Sequence, residues 1–246
     1  AQGSSSASLS RIAATTEGYG MFALVDYVAS SSNLNYVDRS RIGATGHSAG
    51  GNAAIRGANY FGREAARTGK PSKLHSVYVS GYVLTLTDEV LQDVRSNVGV
   101  AYALYDEGAY RNAYGDGNMR IAPEALRAVN SGLPASEAIS EVELGRYYGD
   151  LQQRTLRVIH NERNLHPFQP YMAEAIANQI AYFEKVFDVQ SGLDPYDQAW
   201  QWREILGVIA LVAALVAIIP MGHFLLQTAP FRQLVNAVPP PLPRPA

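Results

Sequence analysis

The sequence predicts an α/β domain of mainly parallel strands flanked by helices, followed by one transmembrane helix near the C-terminus. Three observations predict it. Short β-branched and aromatic runs alternate with amphipathic helical patterns. A glycine-bracketed turn, RIGATGHSAGG, joins one such run to a helix. Residues 205–226 are almost wholly aliphatic, longer than the roughly 20 residues a bilayer crossing needs.

Each element follows from its local pattern. Met21, Leu24, Val25 and Val28 recur at helical spacing until SSSNLN stops the helix. RIGATGHSAGG then reads as strand, sharp turn and the small-residue start of a second helix, GNAAIRGANYFGREAA. SVYVSGYVLTL and VGVAYALY carry little charge, as strands buried on both faces of a parallel sheet do. LRVIH is a further short strand, and Met172, Ile176, Ile180, Phe183 and Phe187 share one face of a closing helix. The pattern weakens over residues 108–153, too long for a simple strand-to-helix connection. That stretch reads as an insertion or cap over the site, with a plain surface excursion as the alternative. The α/β domain is expected over 17–189, a linker over 190–204, the transmembrane helix over 205–229 and a Pro-rich tail over 230–246.

Composition excludes several function classes. A chain of 246 residues with 47% hydrophobic content can bury one sizeable core. Its net charge of -2 provides no field for nucleic acid, so no nucleic-acid partner is expected. The absence of Cys excludes disulfides, thiol catalysis and zinc-thiolate sites. No Asp, Glu, Lys or Arg occurs over 205–231, Trp200 and Trp202 suit an interfacial belt, and Pro220 is tolerated within a span. The lipid bilayer is therefore an expected partner. Arg203 before the span and Arg232 after it set almost no charge bias; the expectation adopted is a domain outside the cytoplasm.

Gly46-His47-Ser48-Ala49-Gly50 matches G-x-S-x-G, with a strand before it and a helix after it. Such a turn pushes the Ser48 hydroxyl out at the end of the sheet, and side chains in place of the flanking glycines would meet neighbouring backbone. The amide of Ala49 opens the helix and can donate to an oxyanion. A serine nucleophile needs a base, and the base needs an orienting acid. Asp106 follows VGVAYALY at a strand's carboxyl end, with Glu107 and Asp88 as competitors. His166 lies on the loop after LRVIH, where an imidazole can reach the serine; His160 sits in the strand, and His47 and His75 are expected to be structural. No two histidines show metal-ligand spacing, so neither a metal nor an organic cofactor is expected.

GHSAGG, the strand ending in YDE and NLHPF before an amphipathic helix resemble the α/β-hydrolase superfamily. The closest group is that of dienelactone hydrolases and prolyl-oligopeptidase-like enzymes, over roughly residues 17–188. The resemblance implies the C-terminal part of a hydrolase sheet and an acyl transfer in which Ser48 attacks a small-molecule ester or amide. His166 would take the proton and Asp106 would orient His166. It also implies further strands ahead of the first helix, so residues 1–16 are expected to be the remnant of a missing N-terminal half. The elbow strand would then lie at an open edge, the second oxyanion donor would be absent, and the isolated chain would have little activity. The added span is similar to those of bacterial hydrolases embedded in or tethered to membranes. Two other readings remain open: a non-catalytic membrane protein that uses the scaffold for binding or assembly, and a transport-associated subunit.

Overall fold

The computed structural model describes residues 17–235. The expected N-terminal remnant, 1–16, and most of the Pro-rich tail, 236–246, lie outside the described residues. The chain divides into two compact units, Ala1–Tyr196 and Asp197–Ala246.

In the first unit, β1 (Gly43–His47), β2 (Ser76–Ser80), β3 (Asn97–Ala103) and β4 (Arg157–Glu162) form one parallel sheet in the order β1-β2-β3-β4. Parallel strands need both faces covered, and helices supply the cover. On one face Val77, Val79, Val98, Val100 and Ile159 pack into a core shared with α1 (Met21–Ser30), α2 (Ala49–Thr68), the short α3 (Asp88–Leu91) and α4 (Pro123–Asn130). On the other, Tyr78, Ala101 and Val158 meet Tyr182 and Val186 of α5 (Ala173–Phe187). Among the described residues β1 pairs with β2 alone and carries no fully buried residue, so it forms one edge of the sheet.

Several boundaries differ from the sequence pattern for identifiable reasons. β2 ends at Ser80, and GYVLTL is loop, because Gly81 adopts φ +63° and donates its amide to Ala101 O at 2.8 Å. A Cβ there would lie 2.5 Å from the His47 ring, so the turn requires glycine. In α1, Phe22 and Val25 are buried while Leu24 is 59% exposed. In α5 the fully buried residues are Ala175, Ala177, Tyr182 and Val186; of the face expected, Phe183 and Phe187 pack partly buried against the same core and Met172 is exposed. Tyr182 takes the central place because Gly99 leaves room beneath it, and its ring lies 5.2 Å from that of Tyr78. The 108–153 stretch contributes Met119, Ala122, Ala125, Ala128, Val129 and Val142 to the core beside the sheet, while residues 113–116 and 134–138 are exposed. A bridge between Tyr148 and Arg157 ties its end to β4.

The second unit is dominated by α6 (Trp200–Gln227), of 28 residues and with a mean hydropathy of 2.7 in its most apolar stretch. It starts ahead of residue 205 and stops short of 229. Taken by itself it buries none of that apolar stretch, and it is long and apolar enough to cross a membrane.

Candidate functional site

The carboxyl ends of the strands converge on a cleft of about 530 Å³ bordered by Ser48, Ala49, Asp106 and His166. Connections leaving this edge of a parallel sheet are where α/β proteins commonly place ligands.

Ser48 links β1 to α2 with φ 58° and ψ -118°, a positive-φ conformation that a side-chain-bearing residue adopts only at a cost of about 1–3 kcal/mol. Its amide donates to Ser80 O at 2.8 Å, which holds the turn against β2. A Cβ on Gly46 would lie 2.4 Å from the Gly50 carbonyl carbon and oxygen, so the close approach of strand and helix needs glycine at 46. Gly50 meets nothing within 4 Å; the second tight position is Gly51, whose Cβ would lie 2.7 Å from Ser80 O. The expectation that Gly50 is sterically required is therefore corrected. Ala49 is the first residue of α2, and the first amides of a helix have no acceptor within it.

Asp106 and His166, two of the residues singled out from the sequence, are in contact. His166 Nδ1 lies 2.8 Å from Asp106 Oδ2, and their side chains are 23% and 5% exposed. A carboxylate only accepts, so Nδ1 carries the proton and Nε2 is left as the acceptor. The second carboxylate oxygen, Oδ1, accepts from the Gly108 amide at 2.6 Å, which fixes the rotamer. Leu104 N donates to Glu162 O and Tyr105 N to Asn164 O, so the loops bearing Asp106 and His166 are joined through main chain.

The competing residues differ in their placement. Asp88 opens the short α3 and borders a different depression, beside Arg95 and Arg127. Glu107 borders the cleft but is exposed and makes no ion pair among the described residues. His160 shares a hydrogen bond with the Tyr78 hydroxyl at 3.0 Å, and burial pushes its imidazole down to about 4. His75 pairs with Ser76 Oγ at the amino end of β2, and burial lowers its pKa. His47 Nδ1 pairs with Ser80 Oγ at 3.1 Å, and its ring stands 4.5 Å from that of His166. Burial is the main cause that lowers the His47 pKa.

Of the 108–153 stretch, only Gly108, Tyr110, Arg111 and Asn112 border the cleft. Sequence reasoning missed the contribution of the Gly81–Tyr82–Val83–Leu84 loop, although a glycine within an apparent strand is a usable sign of such a turn. Among the described residues, no group of three or more His, Asp or Glu could hold a metal ion. The sequence matches no family model and no curated protein.

Proposed function

We propose that this chain is a serine hydrolase of the α/β-hydrolase type, acting on a small carboxylic ester or amide and held at a membrane by α6. The observation that carries the reading is the 2.8 Å bond between His166 Nδ1 and Asp106 Oδ2, in the cleft that Ser48 also borders. A plain solvated loop would have no need of this combination: a strained serine at a strand-to-helix turn, a histidine with a free Nε2 and a carboxylate bonded behind it. The chain order, serine then acid then histidine, is that of α/β-hydrolases.

In this reading His166 Nε2 takes the Ser48 proton as Oγ bonds to the carbonyl carbon. The Ala49 amide faces the developing oxyanion, and His166 then passes the proton to the leaving alkoxide or amine. Water, deprotonated by the same nitrogen, releases the acyl group. Asp106 holds the ring in the required tautomer throughout.

The test is labelling of the full chain in nanodiscs by a fluorophosphonate. Ser48→Ala abolishes labelling, Asp106→Asn and His166→Ala reduce it by orders of magnitude, and Asp88→Asn leaves it unchanged. Labelling that persists in Ser48→Ala, or a folded wild type that does not react, would instead favour the scaffold without catalysis.

A further inference from the structure

β4 ends in a carboxylate that the proposed chemistry does not use. Glu162 is 2% exposed and has no cation within ion-pair distance among the described residues. Its two oxygens are each taken by a side-chain amide: Oε2 accepts from Gln169 Nε2 at 2.8 Å and Oε1 from Asn178 Nδ2 at 3.0 Å. Gln169 is fully buried and belongs to the 3₁₀ turn His166–Tyr171, whose first residue is His166; Asn178 lies on α5. The carboxylate thus joins the end of the last strand to both segments that follow it.

The pairing dictates an orientation. With Nε2 drawn to Glu162, the Gln169 Oε1 must point the other way, and it lies 3.1 Å from where a Cβ on Gly81 would stand. The His47 ring borders the same glycine, and that ring in turn stands against His166. Gln169 Oε1 is buried and has no hydrogen-bond partner among the described residues, so its position follows from the other end of the amide. An apolar residue at 162 would avoid the desolvation of a buried charge, and a glutamine would set an amide against one of the two donors. Only an acceptor at both oxygens satisfies Gln169 and Asn178 together.

We propose that Glu162 is a positioning residue for His166, acting through Gln169 to hold the turn at the place where Nδ1 meets Asp106. The role rests on His166 being the base, and the experiment separates the two ideas. The full chain in nanodiscs is prepared as wild type, Glu162→Gln, Gln169→Met and the reciprocal double variant Glu162→Gln/Gln169→Glu. Each is read by the rate of fluorophosphonate labelling and by the rate of His166 carbethoxylation, followed by mass spectrometry; the second needs no catalysis. Loosening the turn by a fraction of an ångström lowers labelling by about 10- to 100-fold in both single variants. It raises carbethoxylation of His166, which no longer holds its bond to Asp106. The double variant restores both rates, because the exchanged amide on β4 accepts from Asn178 and donates to the carboxylate now carried by the turn. A double variant as impaired as Glu162→Gln overturns the proposal, as do single variants with wild-type rates. If carbethoxylation follows this pattern while the wild type never labels, the positioning role stands and the hydrolase reading falls.

Discussion

Acid should unfold this domain partly through one histidine. His160 sits on β4 bonded to the buried Tyr78 hydroxyl, and burial lowers its pKa to about 4 from an ordinary 6.5. The folded state therefore binds fewer protons than the unfolded one between these values. Stability from the neutral ring is complete above pH 6.5 and is lost as pH falls toward 4. Linkage across that shift withdraws between about 2 and 3 kcal/mol by pH 4.5. For a domain of this size that corresponds to a fall of roughly 5–10 °C in Tm. The assay is thermal unfolding of the full chain in nanodiscs from pH 7.5 to 4.5, comparing wild type with His160→Gln. Glutamine can keep a hydrogen bond to Tyr78 but takes up no proton. His47 and His75, also lowered by burial, add acid sensitivity of the same sign; Glu162, raised by burial, contributes in the opposite sense. These groups remain in both proteins, so the difference between the two pH profiles isolates His160. Parallel loss of stability in the two proteins would refute the assignment of a buried neutral imidazole.

Two further predictions follow from local geometry. Gly46→Ala drives a methyl to 2.4 Å from the Gly50 backbone, which cannot move aside as a side chain can; it should cost about 1–3 kcal/mol or more and remove fluorophosphonate labelling. Gly50→Ala meets open space and should retain both stability and labelling, so equal damage in the two variants would show that the turn is built differently. For α6, alkaline carbonate should leave the full chain in the membrane pellet, whereas a chain with Leu211, Val212 and Leu215 replaced by Asp should be released, because each buried carboxylate costs about 2.5–3.5 kcal/mol in mid-bilayer.

The sequence by itself determined the elements whose causes are local. RIGATGHSAGG specified strand, turn and helix because glycine spacing and small residues decide how closely a strand and helix can approach. The apolar body of α6 was legible because length and apolarity are properties of the segment alone, whereas its first turn, from Trp200, lies in the stretch expected as linker. Asp106 and His166 could be ranked because each follows a recognisable strand, and the carboxyl ends of parallel strands lie on one edge.

Tertiary structure decided what depends on neighbours distant in the chain. The run SVYVSGYVLTL looks like one strand, yet Gly81 turns it away because its amide finds Ala101 and its missing Cβ makes room for His47. The burial of Tyr182 on α5 depends on distant neighbours, because its ring packs against Tyr78 and over Gly99, where a Cβ would lie 3.1 Å from it. The buried pairing of Glu162 with Gln169 and Asn178 had no sequence signature, since three polar residues at irregular spacing read as surface. Only the packing of the last strand, turn and helix removes them from water and makes their hydrogen bonds compulsory.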